Sequence, residues 1–419
     1  IGWNAVQIQA NGAIAAYEIF STFERFMFAS YGFIMYWVKF FVPIELAAFY
    51  PYPTFDAQHR LPFFFYLAPF IAIALSLGSI FAVYKLKKEW LRTYIFGFGF
   101  FVVMIALVLQ FISVGSAIMA DRYAYIPYIG ASFMILWMME KSVFFSKNKS
   151  LLIGALGVYG LFLFTQAYKM TGVWTNSETL WSNVIELYPY QIERVGNIVH
   201  VKKTGVEVAY KNRGNYYREH NRMDLAFKDY TVLVDARVKD ALVYSNMGNM
   251  YALEKKFDAS IEMYKLALER DKNSFDVYLN RGITYAKMGK HTEAIADYEQ
   301  ALRIHKNDIR AMTNICSELL NAQRFDETLK YAQLLIKALP NGSDGYFYRG
   351  TVYVNQKKYE LAVMDLEKSI SLRPDYPYAW FNCSIAYKSL NQKTKALEYA
   401  EKAKSFGIPV DVAYLNSLR

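Results

Sequence analysis

Counting in steps of 34 from Glu207 meets the same kinds of residue again and again, and no other property of this 419-residue chain limits its fold so severely. Units begin at 207, 241, 275, 309, 343 and 377. Their eighth positions are Gly214, Gly248, Gly282, Cys316, Gly350 and Ser384, nearly all small. Their eleventh are Tyr217, Tyr251, Tyr285, Leu319, Tyr353 and Tyr387, all large. Their twentieth are Ala226, Ser260, Ala294, Thr328, Ala362 and Ala396. Pro340 and Pro374 stand at the thirty-second, where a helix has to stop. Small residues at fixed offsets let two helices approach, and a large residue between units fills the gap, so the pattern predicts stacked helical pairs.

This is the tetratricopeptide repeat (TPR) pattern, six units in unbroken phase. A half-unit precedes it in SETLWSNVIELYP, ending at Pro189. Between the two lies RVGNIVHVKKTGVE, residues 194–207, whose removal nearly restores the phase. It reads as an insertion, and its alternating Ile198, Val199 and Val201 between glycines predict a hairpin or loop.

Upstream the composition changes. Residues 1–172 hold 12 Lys/Arg and 7 Asp/Glu, whereas residues 173–419 hold 35 and 30, so the mean hydropathy of +0.07 averages two unlike halves. Uncharged runs predict membrane helices at 61–84, 93–112, 124–140 and 150–168, since crossing the hydrocarbon takes about 20 residues. A fifth span is expected at 26–42, where Lys39 would snorkel toward a headgroup. The expected architecture is all-α: a polytopic membrane bundle over 1–172, a junction over 173–206 and a TPR solenoid over 207–419. The opening IGWNAVQ has neither Met nor a signal-peptide pattern, which reads as a piece of a longer protein.

Basic loops set the orientation. Lys85, Lys87, Lys88 and Arg92 join the second and third spans; Lys141, Lys147 and Lys149 join the fourth and fifth. Both loops are expected in the cytoplasm. Alternation then places the loop over 43–60, the loop holding Asp121 and everything after 168 on the other face, with the TPR domain in the periplasm and the spans in a bacterial inner membrane. The formal charge of +10 divides evenly between the halves, with no basic tail, which argues against nucleic acid. Cys316 and Cys383 have no CxxC partner, and His200, His220, His291 and His305 have no ligand spacing, so neither a disulfide framework nor a metal or other cofactor is indicated.

The two outer loops, PIELAAFYPYPTFDAQHR and ADRYAYIPYIG, bring Asp56, His59, Arg60, Asp121 and Arg122 to one membrane face with Tyr123 and Tyr125. Arginine offers a planar fork to phosphate oxygens and tyrosine tolerates the headgroup layer, so a lipid-borne phosphate or pyrophosphate suits them. The plainer reading is a topology anchor with an aromatic belt.

The succession of YPYP loop, two spans, ADRYAYIPYIG, two spans, VWTNSETLW with Trp174 and Trp181, then TPR units resembles the transmembrane-and-TPR protein O-mannosyltransferases of the GT-C superfamily, and more closely their bacterial relatives. The resemblance covers nearly the whole chain. It implies a sugar moved from a polyprenyl-phosphate carrier to a protein on the non-cytoplasmic face. It also implies an essential acidic residue in an outer loop ahead of this chain, so no general base is assigned. Asp121 is expected to fix Arg122 by a charge-assisted bond.

The sixth positions of the repeats carry Asn212, Asn246, Asn280, Asn314 and Asn382, with Tyr348 breaking the row. A carboxamide both donates and accepts, so such a row can pair with an extended polypeptide in a concave groove. The row resembles the asparagine ladder of the nucleocytoplasmic O-GlcNAc transferase. Bonding between neighbouring repeats is the plainer account. The expected function is a membrane glycosyltransferase whose TPRs bind a protein acceptor or partner; the alternative is a non-catalytic, membrane-anchored TPR scaffold.

Overall fold

A computed structural model describes residues 20–53, 60–106, 108–109, 117–195, 198–202 and 206–419; for 191–195, 198–202 and Phe145 only the backbone is described. The chain divides into two compact units, 1–238 and 239–419.

The first unit opens with α1 (Thr22–Phe41), capped by Ser21 and Glu24 in a reciprocal capping box. Then come β1 (Tyr50–Pro51), α2 (Phe63–Leu86), a 3-10 turn (Lys88–Trp90) and α3 (Leu91–Ala106). After β2 (Ala117–Met119) and a 3-10 turn (Asp121–Tyr123) follow α4 (Tyr125–Lys141), α5 (Val143–Lys147) and α6 (Lys149–Val173). Among the described residues, three helical segments are long and apolar enough to cross a membrane: Phe63–Leu86, Lys88–Ala106 and Lys149–Val173. The other two expected spans differ. The helix over 124–140 is 17 residues long. The helix over 26–42 carries Glu24, Arg25 and Lys39, and it buries Phe28 against Tyr52 and Phe65 near one end and Tyr36 against Ala120 near the other. Lys39 does not snorkel: it is 7% exposed and its ammonium donates to the carbonyls of Ile44 and Glu45.

Helices α3 and α4 touch where Gly97 and Gly130 meet, each lying where an added Cβ would come within 3 Å of the other's carbonyl oxygen. After α6 comes α7 (Ser177–Leu187), the expected half-repeat. The insertion is a hairpin, β3 (Gln191–Val195) antiparallel to β4 (Ile198–Lys202). The first full repeat, α8 (Glu207–Glu219) and α9 (Met223–Asp235), closes this unit.

The second unit is a TPR solenoid of five helix pairs. They are α10 (Ala241–Leu253) with α11 (Phe257–Arg270), α12 (Phe275–Lys287) with α13 (His291–Ile304), α14 (Ile309–Asn321) with α15 (Phe325–Ala338), α16 (Ser343–Asn355) with α17 (Tyr359–Leu372), and α18 (Pro377–Ser389) with α19 (Lys393–Ser405). A short α20 (Val412–Asn416) follows, and its Leu415 and the Leu418 just beyond it join the core of the repeats.

Every turn between paired helices uses the fifteenth position in the left-handed region: Asn221, Lys255, Gly289, Gln323, Lys357 and Asn391. The next backbone N–H then returns to the carbonyl of position eleven, as Lys256 does to Tyr251 at 2.9 Å, closing the helix end. Only one of the six is glycine, so the stacking of the pairs overrides the preference of a side-chain-bearing residue.

The eighth position faces the twenty-fourth across each pair. Gly214, Gly248 and Gly282 lie against the rings of Tyr230, Tyr264 and Tyr298, whereas Cys316 and Ser384 share their units with Ala332 and Ala400. A ring is admitted only where the eighth position is glycine; where Cys or Ser stands there, the twenty-fourth is alanine. Gly282→Ala would put a Cβ 2.7 Å from the Tyr298 ring. A loss of about 1–3 kcal/mol is expected from overpacking. Adding Tyr298→Ala should relieve the clash and yield a non-additive cycle in thermal melts; strict additivity would refute the coupling.

Candidate functional site

In the first unit the two loops expected on one face are joined. Tyr50 pairs with Met119 in a short antiparallel ladder, and Asp121 N–H reaches Ala47 O at 3.4 Å. Asp121 is the knot. Its Oδ2 accepts from the Ala47 N–H at 2.6 Å and the Tyr50 hydroxyl at 2.8 Å. Burial pushes its carboxyl above the ordinary aspartate range, against the pull of Tyr50, the Ala47 N–H and Lys39. The same burial, then the Asp121 charge, pushes the Tyr50 phenol up.

Asp121 therefore does not act on Arg122 as expected. Its oxygen lone pairs go to the other loop, because the 3-10 turn Asp121–Tyr123 sends the two side chains different ways. Arg122 is exposed; its Nη1 donates to Ala48 O at 3.2 Å and its Nη2 to the Tyr123 hydroxyl at 3.0 Å, with the guanidinium 4.8 Å from the Tyr123 ring centre. These oxygens are neutral.

Beside this pair opens a cavity of about 490 Å³. It is lined by the polar Lys39, Asp121, Arg122 and Tyr125 and by a mostly apolar wall, from Phe40 and Pro43 to Leu163, Ala167 and Met170 of α6, which Gln166 and Thr171 interrupt, with Trp174 at the helix end. Of the sequence candidates, Asp121, Arg122 and Tyr125 line it, and Tyr123 supports Arg122. Arg60 is exposed beside the buried Leu61 ahead of α2. His59 and Asp56 lie outside the described residues. Sequence reasoning missed Lys39 as a lining residue, having taken it for a lipid-facing interruption. The clue was available: a lone cation two residues before a helix end is placed to bind the loop that follows.

The half-repeat docks at this end. Trp181 meets Phe49 and Tyr188 meets Tyr50, with ring centres 6.2 and 6.0 Å apart. From its other side Ser182 accepts from Arg213 at 3.0 Å and Glu178 accepts from Tyr217 and Arg222 of the first repeat.

In the repeats, Asn280 donates to Asn249 Oδ1 at 3.1 Å and Asn382 to Thr351 Oγ1 at 2.9 Å, each 31 residues back. Asn246 is buried, and Asn212 and Asn314 are half-buried. In at least two units the row joins one repeat to the one before.

Models of the tetratricopeptide repeat match residues 239–307, 343–376 and 377–406, so the chain carries TPR repeats, units of protein–protein interaction. No curated protein matches. Solved structures resemble part of the chain: a MamA protein at 23% identity (TM-score 0.37, 40% of this chain and 91% of that one), and YrrB, titled a TPR protein with an unusual peptide-binding site, at 22% (0.39, 45% and 96%). MamA from Desulfovibrio magneticus RS-1 follows at 17% (0.38, 40% and 94%).

Proposed function

We propose that this protein is a membrane glycosyltransferase that takes a sugar from a polyprenyl-phosphate carrier and delivers it to a polypeptide held by its TPR repeats, on the non-cytoplasmic face of a bacterial inner membrane. One observation carries the reading: the cavity joins an apolar wall on α6 to the cationic pair Lys39 and Arg122, the two chemistries a lipid-borne phosphate brings. Arg122 and Lys39 receive the phosphate oxygens, Tyr123 steadies Arg122, and the lipid chain follows α6. The acceptor runs along the first helices of the repeats, past the asparagines at their sixth positions.

The scaffold reading has its own support. Among the described residues Asp121 is the one carboxylate on the cavity wall, and it is occupied in holding the loops together rather than free to take a proton from an acceptor hydroxyl.

One assay separates the readings. In proteoliposomes, transfer from a polyprenyl-phosphate sugar to peptide is expected from the wild type and should fall at least tenfold in Arg122→Ala, with the carrier's apparent affinity weakened. Equal transfer by the variant removes the phosphate assignment. A wild type that transfers nothing yet captures a polypeptide through its repeats is the scaffold.

A further inference from the structure

The far end of the helix bundle carries chemistry that neither the cavity nor the repeats use. At the turn from α2 to α3 stand Lys85, Lys87, Lys88 and Arg92, all exposed. Trp90 of that turn packs on a small core of Val83, Tyr94 and Met134 and meets Trp137 of α4 edge to face at 5.9 Å. One helical turn beyond Trp137 is Lys141, exposed at the end of α4. The indole pair thus draws two chain segments into one basic rim.

The lysines lie along aromatic faces: Lys85 is 5.6 Å from the Phe81 ring centre, Lys87 5.7 Å from Trp90 and Lys88 5.7 Å from Tyr84. Such contacts hold the stems against apolar surface and leave the ammonium heads outward. The nearby carboxylates neutralise little. Lys87 to Glu89 is 4.0 Å and Lys141 to Glu140 3.9 Å, between exposed groups, where ion pairs contribute least. Next to the rim, α5 exposes Val143 and Phe144 at 63% and 65%.

Tryptophan with outward lysines, at the ends of two segments apolar enough to cross a bilayer, is the composition of a headgroup layer. We propose that this rim binds the phosphates of anionic phospholipids, with Lys87, Lys88, Arg92 and Lys141 as the contacting cations and the Trp90–Trp137 pair at the glycerol level. The binding selects lipid by charge. It rests on the bundle lying in a membrane and is independent of any sugar transfer.

The test uses the full chain in nanodiscs of mixed phosphatidylglycerol and phosphatidylcholine, with retained lipid counted by native mass spectrometry. Phosphatidylglycerol should be retained above its bulk proportion, and less so at high salt. Each lysine at an anionic surface contributes roughly fivefold, so Lys87→Gln with Lys88→Gln should lower the preference roughly 25-fold, while Lys87→Arg with Lys88→Arg keeps it. Retention in bulk proportion by the wild type, or an unchanged preference in the glutamine variant, overturns the proposal. So does equally tight binding of soluble polyglutamate to protein in phosphatidylcholine discs, which would mark an acidic protein partner. If the double variant does not elute as a single folded species, Arg92→Gln alone should still lose roughly fivefold, and no loss there overturns the proposal equally.

Discussion

Asp297→Ala should cost the second unit about 3–5 kcal/mol, more than any other substitution in the repeats considered above. Asp297 is 4% exposed and holds Arg281 through two bonds of 2.7 and 2.8 Å. Burial pulls the Arg281 guanidinium down, but the bonds and charge of Asp297 more than offset it and leave it raised. Truncating the acid strands an arginine whose side chain is only 17% exposed, between the rings of Tyr278 and Tyr285 at 5.7 and 5.9 Å. A buried charge without its partner is among the most destabilising changes a helix pair can suffer.

The repeats themselves supply the compensating experiment. Arg213 with Asp229 and Arg349 with Asp365 repeat the same pair at the seventh and twenty-third positions of the first and fifth units. In the second unit of the series those positions hold Met247 and Met263. Arg281→Met combined with Asp297→Met should therefore fall within about 1 kcal/mol of the wild type, since well-packed apolar side chains replace a buried ion pair at little cost. Chemical denaturation of the four proteins of this cycle gives the answer. Additive losses in the double variant would mean the pair does more than fill space.

The alternation of ionic and apolar units is legible in the sequence once the period is doubled to 68, yet a period of 34 conceals it. That explains much of what could and could not be read. The helix pairs and the half-repeat follow from single positions with one steric job each, such as a glycine under a tyrosine ring, whereas five of the six left-handed turn positions carry no glycine to announce them. Burial of a polar side chain depends on partners 16 or 31 residues away, so the sequence left the asparagine row open between a groove lining and bonds between neighbouring repeats, and Asn280 and Asn382 do reach the repeat behind them. Tyr348, which breaks the row, still interacts with Ser317, again 31 residues back. In the first unit, hydropathy located the helices but not what α1 does. Its apolar residues satisfy the same count whether they meet lipid or the two loops.

The loops make the other large effect. Asp121→Ala should loosen the link between them, because the Ala47 N–H and the Tyr50 hydroxyl would lose their shared carboxylate and keep only bonds within their own loop, the Ala47 N–H to the Tyr50 hydroxyl at 3.2 Å and that hydroxyl to Glu45 O at 3.1 Å, a loss of about 1–3 kcal/mol for the two together. The loss should reach the half-repeat, since Tyr50 is the ring on which Tyr188 rests. Hydrogen exchange would show it as faster opening of residues 47–50 and of 177–187, with the second unit unchanged. The pH dependence has a definite sign. Burial raises the Asp121 carboxyl, so the folded state holds its proton more tightly than the unfolded chain does. The resulting stabilisation is fully present below the ordinary aspartate range and is lost as pH rises through the raised folded value. Protection of these loops should accordingly be greater in mild acid than at neutrality. Asp121→Asn keeps one acceptor oxygen for the Ala47 N–H and has no titration, so it should hold the loops together and flatten that part of the profile. A profile unchanged by Asp121→Asn would assign the acid gain to another group, and an Asp121→Ala protein whose half-repeat exchanges like the wild type would separate the loops from the first repeat.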